Sequence, residues 1–383
     1  MKKTLIKNAR IVSPDQEIGN GALLLENGRI AAVFEAGAAL PEAEVVIDAG
    51  GRTAMPGFFD IHCHGADGHD VCDNTLEAVR HIAKKKLQEG VTTWLPTTLT
   101  QPQDKLEEIA GKIAEYMANP EFTRAPGVHV EGPFINKEKA GAQNPEYVRL
   151  PNFAELKAFH DIAPALIVSL APEMPGALEV IREARAIGIT SSAAHTSATA
   201  AHLRDAKAAG LTHLTHFGNA MTPLHHREIG AVGTGLMDDS IKIELICDTV
   251  HLAPDMLKLI FKLVPIDRIL MITDSMAASW IGNGECMLGG LEVVVENDVA
   301  RLKHGGALAG SALLYNVGLR NVAELTGLPL TEIVKTTSWN QAQSLGLEGF
   351  GKLESGFHAD IVLLDSDFNI WKTLVGGEER FSA

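Results

Sequence analysis

The chain has 383 residues, 33 Lys and Arg against 48 Asp and Glu for a net charge of −15, with 46% hydrophobic and 21% charged residues. At ~100–200 residues per domain this is one large domain or two modest ones, and the apolar content excludes a disordered chain. The acidic balance lacks the basic footprint of a nucleic-acid binder and argues against an anionic membrane surface, and no apolar run reaches the ~18–20 residues of a bilayer span.

The first ~50 residues alternate apolar and polar positions around Asn-Gly and Gly-Gly turn signals, in TLIKNARIV, GALLLENGRIAAVFE and EVVIDAGG. They predict a small antiparallel sheet. The last ~30 residues, KLESGFHADIVLLDSDFNIWKTLVGGEERF, predict about three more short strands. The two ends are paired as one small β-sandwich domain, residues 1–53 plus 346–383.

The middle of the chain has another rhythm. Strand-like runs AMPGFFDIH, VTTWLPT, GVHVEG, ALIVSLAP, GITSSAAH, LTHLTH, IKIELICD and RILMITD alternate with amphipathic segments such as TLEAVRHIAKKKLQEG and QDKLEEIAGKIAEYMA. Eight strands with intervening helices predict an α/β fold, a (β/α)8 TIM barrel over residues 54–345. No GxGxxG follows the first run, which lowers the alternative of a doubly wound open sheet.

Barrel chemistry sits at the C-terminal ends of the strands. The first run ends in His62-Cys63-His64, the third in His129-Val130-Glu131, the fifth in His195, the sixth in His216 and the eighth in Asp274. Alternate side chains of a strand share a face. His62 and His64 therefore point into the mouth and Cys63 away from it, and His129 and Glu131 share a face. His213, of odd parity with His216, is a wall residue. A single strand-end His is ordinarily structural; five populated strand ends together predict a site. Imidazoles and carboxylates suit a divalent ion, which polarises a carbonyl and lowers the pKa of water, and Asp274 is placed to carry the proton. The cysteines Cys63, Cys72, Cys247 and Cys286 form no CxxC pair. MKKTLIKNARIVSPD lacks a signal-peptide apolar stretch, so a reducing cytoplasm is expected.

The strings PGFFDIHCHGADGHD, GVHVEGPFIN, LAPE, AAHTSAT, THFGNAM, HHREIG, DTVHL, ITDSM and LAGSALL run through the whole barrel. In these the chain resembles the amidohydrolase superfamily, and within it the N-acetylglucosamine-6-phosphate deacetylase family. The fourth strand ends in Leu170-Ala171-Pro172-Glu173, without the Lys that many amidohydrolases place there. The resemblance implies a metal-dependent deacetylase of an N-acetyl-amino-sugar 6-phosphate. It makes Glu131, His195 and His216 the core metal ligands and Asp274 the catalytic acid and base. His62 and His64 would hold a second ion, so one or two divalent ions per subunit are expected, zinc first and iron, cobalt or manganese as alternatives. Asn219, Ala220, His226, Arg227 and His251 would bind substrate, with Arg227 reaching the phosphate from the neighbouring subunit of a homodimer. The family usually has a His where this chain has Gln143 in KAGAQNPE. Gln143 keeps a hydrogen-bond donor but carries no charge, which leaves the galactosamine epimer open as substrate. Another amidohydrolase activity, such as N-acyl-amino-acid deacylation, and a non-catalytic scaffold are the remaining alternatives.

Overall fold

The computed structural model describes residues 3–383. Eight parallel strands follow one another in chain order around a barrel: Phe58–Cys63, Val91–Thr98, Val128–Glu131, Ala165–Leu170, Thr190–Ala193, His213–Leu214, Lys242–Ile246 and Ile269–Ile272. They are numbered 1 to 8 below. The strands are buried on both faces, which explains their continuous apolar runs. A helix follows each strand: Leu76–Lys86, Gln103–Ala118, Phe153–Ile162, Ala177–Ala186, Ala200–Ala209, Gly230–Met237, Pro254–Leu263 and Tyr315–Thr326. The sixth helix, GAVGTGLM, has no polar stripe to betray it. It replaces bulk with proximity, since a Cβ on Gly235 would stand 2.4 Å from Phe217 and 2.6 Å from Leu214.

The seam between strands 8 and 1 is closed partly by side chains. Cys63 pairs with Ser275 in a single parallel bridge, and the Asp274 N–H donates to the His62 carbonyl at 2.9 Å. Below them the Asp60 carboxylate accepts the Thr273 N–H at 3.1 Å and the Thr273 hydroxyl at 2.6 Å. The Lys86 ammonium, from the end of the first helix, lies 3.1 Å from Asp60 and 2.6 Å from Glu89. All three charged groups are buried.

Both chain ends build one eight-stranded sheet: Lys3–Ser13, Gln16–Glu26, Arg29–Phe34, Val45–Asp48, Thr53–Pro56, Ile361–Leu364, Ile370–Val375 and Glu378–Ser382. It carries its own apolar cluster, including Ile6, Ile11, Leu23, Ala54, Leu363 and Leu374. The run AMPGFFDIH, expected as one barrel strand, is two. Thr53–Pro56 pairs in the terminal sheet and Phe58 opens the barrel. The break falls at Gly57, whose N–H donates to Asp360 O and where a Cβ would sit 2.2 Å from Thr92.

An antiparallel insertion that the sequence analysis did not anticipate, Gly284–Leu288, Leu291–Glu296 and Val299–Leu302, separates strand 8 from its helix. Its turns, Gly289-Gly290 and Asn297-Asp298, all have positive φ, the conformation of tight hairpins. Leu288, Val293, Val295 and Ala300 pack on Leu99, Met276 and Ala309, which brings the insertion to the barrel mouth.

Candidate metal centre and substrate cavity

His195, His216 and Asp274 have φ of 43°, 33° and 51°. Such backbone is strained for a residue with a Cβ, at a cost of order 1–3 kcal/mol each, and clusters at functional sites. Here it turns the chain out of strands 5, 6 and 8 just where those side chains meet.

Glu131 Oε1 lies 3.1 Å from His216 Nε2 and 3.3 Å from His195 Nε2, and the two imidazole nitrogens are 3.1 Å apart. Donors about 2.0–2.1 Å from a common tetrahedral ion stand roughly 3.3 Å from one another. The three atoms therefore have the spacing of ligands. A second set adjoins it. His62 Nε2 and His64 Nε2 are 3.2 Å apart, and each is 3.3 Å from Asp274 Oδ1. Glu131 joins the two sets, with Oε2 3.3 Å from His64 Nε2 and Oε1 3.6 Å from His62 Nε2. Both sets fit a divalent ion in donor type and spacing.

The other ring nitrogens decide which tautomer each imidazole adopts. His195 Nδ1 donates to the Lys139 carbonyl at 2.8 Å and His64 Nδ1 to the Thr97 carbonyl at 3.2 Å, so each turns an Nε2 lone pair inward. His62 Nδ1 lies 3.1 Å from the Glu244 carboxylate. Glu244 was missed in the sequence because it sits inside the apolar run IKIELICD rather than at a strand end.

These groups hold one another ionised. Burial opposes the charged form of Asp274, but His62 and His64 outweigh it and lower its pKa to about 2. Burial likewise disfavours His62 as a cation, and Asp274, Glu131 and Glu244 raise it to about 9. Glu131 is held well below the usual carboxylate range against its burial, by His62 and by hydrogen bonds from His195, His216 and His64. Metal binding displaces such imidazole protons, which makes it pH-dependent. His129 shares the inward face with Glu131 but lies one layer deeper. Its nitrogens are taken by Ile61 O at 2.9 Å and Ser169 Oγ at 2.7 Å. Burial and the neighbouring His62 lower its pKa, which keeps it a neutral part of the core.

Above the donors opens a cavity of about 360 Å³ lined by Gln143, Asn219, Ala220 and His251 and walled by Leu288, Leu308 and Gly310 from the insertion side. His251 Nδ1 is 2.6 Å from Asp248, which overcomes burial and raises the His251 pKa while leaving Nε2 for the cavity. Gln143 donates to Glu131 Oε2 at 2.5 Å and accepts the Thr100 N–H at 2.7 Å. The Asn219 N–H is donated to His216 O at 3.0 Å. The turn after strand 6 closes on itself there, so the Asn219 backbone donor is not available to a ligand. His226 and Arg227 do not line the cavity. They form an exposed pair at 2.7 Å on the loop after strand 6. No helix among the described residues is long and apolar enough to cross a membrane.

Fold and donor sets define a barrel hydrolase of the metal-dependent kind. The family description "Amidohydrolase family" matches residues 53–380. The N-acetylglucosamine-6-phosphate deacetylase of Bacillus subtilis is 35% identical over 98% of this chain and 97% of its own length, and the N-acetylgalactosamine-6-phosphate deacetylase of Escherichia coli O157:H7 is 33% identical over 98% of each. The N-acetylglucosamine-6-phosphate deacetylase structure from Thermotoga maritima superposes with a TM-score of 0.90 at 36% identity, covering 99% of this chain and 100% of that one. A mutant of the Mycobacterium smegmatis enzyme, in complex with N-acetyl-D-glucosamine-6-phosphate, superposes at 0.94 with 29% identity over the full length of both. The chain belongs to the amidohydrolase family, and within it to the N-acetylglucosamine-6-phosphate deacetylases.

Proposed function

We propose that the chain hydrolyses the acetamide of N-acetylglucosamine 6-phosphate, or of a close N-acetyl-amino-sugar 6-phosphate, to acetate and the amino-sugar 6-phosphate. The observation that carries this reading is the pair of donor sets sharing Glu131, with Asp274 beside them at the floor of a cavity of sugar-phosphate size. Glu131, His195 and His216 would hold one divalent ion, and His62, His64, Glu131 and Asp274 a second. Zinc suits these donors best, and iron, cobalt or manganese accept the same set. When bound, such an ion polarises the acetamide carbonyl and makes water acidic enough to supply hydroxide near neutral pH.

The protein's own groups do the rest. Asp274, ionised at neutral pH, takes the proton of the attacking water and returns it to the leaving nitrogen. His251, held by Asp248, donates to the carbonyl oxygen as negative charge develops on it. Asn219 and Ala220 bound the sugar, and Ala220 offers a backbone N–H to the phosphate. Arg227 and His226, exposed on their own subunit, would complete the phosphate site of a partner in a homodimer. The chain is read as two domains, residues 1–53 with 346–383 and residues 54–345, with the joint moved to Gly57, and as a cytoplasmic enzyme.

The galactosamine epimer is the second reading, supported by Gln143, where the family resemblance implies a His, and by a relative named N-acetylgalactosamine-6-phosphate deacetylase at 33% identity. Acetate release should be measured on both N-acetylhexosamine 6-phosphates, on the unphosphorylated sugars and on N-acetyl amino acids. Turnover confined to the sugar phosphates is expected. Preferred turnover of the N-acetyl amino acids would overturn the reading.

A further inference from the structure

Glu244 lies in the interior of the barrel, fully buried on strand 7. A carboxylate there costs several kcal/mol in lost hydration unless something compensates it. One oxygen, Oε1, has no hydrogen-bond partner among the described residues. The other, Oε2, is 3.1 Å from His62 Nδ1 and makes a long contact of 3.4 Å with the His216 N–H. The main partner of this buried charge is therefore one ring nitrogen of His62.

The four inward imidazoles are not treated alike. His195 and His64 are oriented by neutral carbonyls, and His216 Nδ1 has no partner. His62 alone has a carboxylate behind it. A carboxylate that accepts Nδ1–H fixes the tautomer with the Nε2 lone pair free and makes that nitrogen a stronger ligand than a carbonyl does. His62 Nε2 is the atom that faces His64 Nε2 and Asp274 Oδ1 at 3.2 and 3.3 Å.

Charge points the same way. Two divalent ions would bring +4 into a buried space where Glu131 and Asp274 supply −2. Burial raises the Glu244 pKa and the neighbouring His62 opposes that shift; as a carboxylate, Glu244 would make the sum −3 and leave one positive charge instead of two.

We propose that Glu244 is a positioning residue that holds His62 with Nε2 toward the cavity and so makes the His62–His64 half of the site competent to bind a second divalent ion. This rests on the two-ion reading above.

The test is metal stoichiometry and affinity, measured on the purified chain by elemental analysis and chelator competition with zinc as the probe, for wild type and for Glu244→Gln. The Gln keeps the shape and an acceptor oxygen but removes the charge. The expected result is two ions in wild type, and in Glu244→Gln one tight ion with the second weakened by roughly 10–100-fold. A wild-type chain that holds one ion overturns the two-ion reading and this inference with it. Two ions in wild type, with both held at unchanged affinity in Glu244→Gln, overturn the role of Glu244 alone. The tautomer can be read without any variant, by nitrogen NMR of labelled histidines in the zinc-loaded wild type. His62 protonated at Nδ1 is expected, and His62 protonated at Nε2 overturns the proposal.

Discussion

Gln143 and Glu131 are joined by a buried hydrogen bond of 2.5 Å between the amide nitrogen and Oε2, while the amide oxygen is anchored on the Thr100 N–H. The loop after strand 3 thereby grips the carboxylate that joins the two donor sets. Gln143 is thus tied to Glu131 and Thr100 rather than free in the cavity. It has one amide hydrogen left for a ligand.

Gln143→Leu leaves the Thr100 N–H without its partner in a buried place, at a cost of about 1–3 kcal/mol, and leaves Glu131 Oε2 only its 3.3 Å contact with His64. The variant should bind its first ion roughly 10–100-fold more weakly, the usual effect of removing a group that orients a ligand. Chelator competition measures this directly. Unchanged affinity would reduce Gln143 to a substrate contact.

Asp274→Asn keeps the shape and loses the basicity. Turnover should fall by ~10²–10⁴, the range that a positioned acid or base contributes, while the sugar phosphate still binds in calorimetry. Turnover close to wild type would remove Asp274 from the proton path.

Arg227 pairs with His226 in the exposed loop and does not reach its own cavity. Arg227→Ala should raise KM for the sugar phosphate by ~10–1000-fold and barely affect the plain sugar, at ~1.4 kcal/mol per tenfold. Mixing Arg227→Ala chains with Asp274→Asn chains should restore activity, because one of the two sites in the mixed dimer has both residues intact. Subunit exchange without rescue would return Arg227 to its own subunit.

Lys86 sits between two buried carboxylates, and its ammonium also lies 3.4 Å from the Thr273 and Ser275 hydroxyls on either side of Asp274. Lys86→Met leaves Asp60 and Glu89 buried without a cation. Breaking such a cluster costs about 3–5 kcal/mol, so the thermal midpoint should drop clearly. An unchanged midpoint would mean that Asp60 and Glu89 shed their charge at no cost.

His213 gives stability a pH dependence. Burial, and then Lys242, depress its pKa to about 3, against roughly 6.5 in the unfolded chain. Between those values the unfolded chain binds a proton that the folded chain does not. Stability is thus full above about pH 6.5 and falls on acidification, by up to about 1.4 kcal/mol per pH unit. His213→Phe removes this dependence. Its denaturant midpoint should improve relative to wild type on going from about pH 7.5 to about pH 5.5. Parallel curves for the two chains would show that His213 is protonated in the folded state.

The sequence by itself determined the barrel and the donors that end its strands. The reason is local: strands buried on both faces are continuous apolar runs, and the period of two put His62 with His64 and His129 with Glu131 before any fold was known. The tertiary structure decided what depends on distant segments meeting. Glu244 lies within an apolar run, and only the closing of the barrel brings its carboxylate on strand 7 across the interior to His62 on strand 1. His129 has the parity of a ligand, but its depth in the barrel gives both nitrogens to the core. Gln143 and the Lys139 carbonyl come from a loop with no periodicity, and their grip on Glu131 and His195 follows from where strand 3 delivers that loop. Arg227, paired with His226 on an exposed loop away from the cavity of its own chain, is likewise placed by the fold and not by any local pattern.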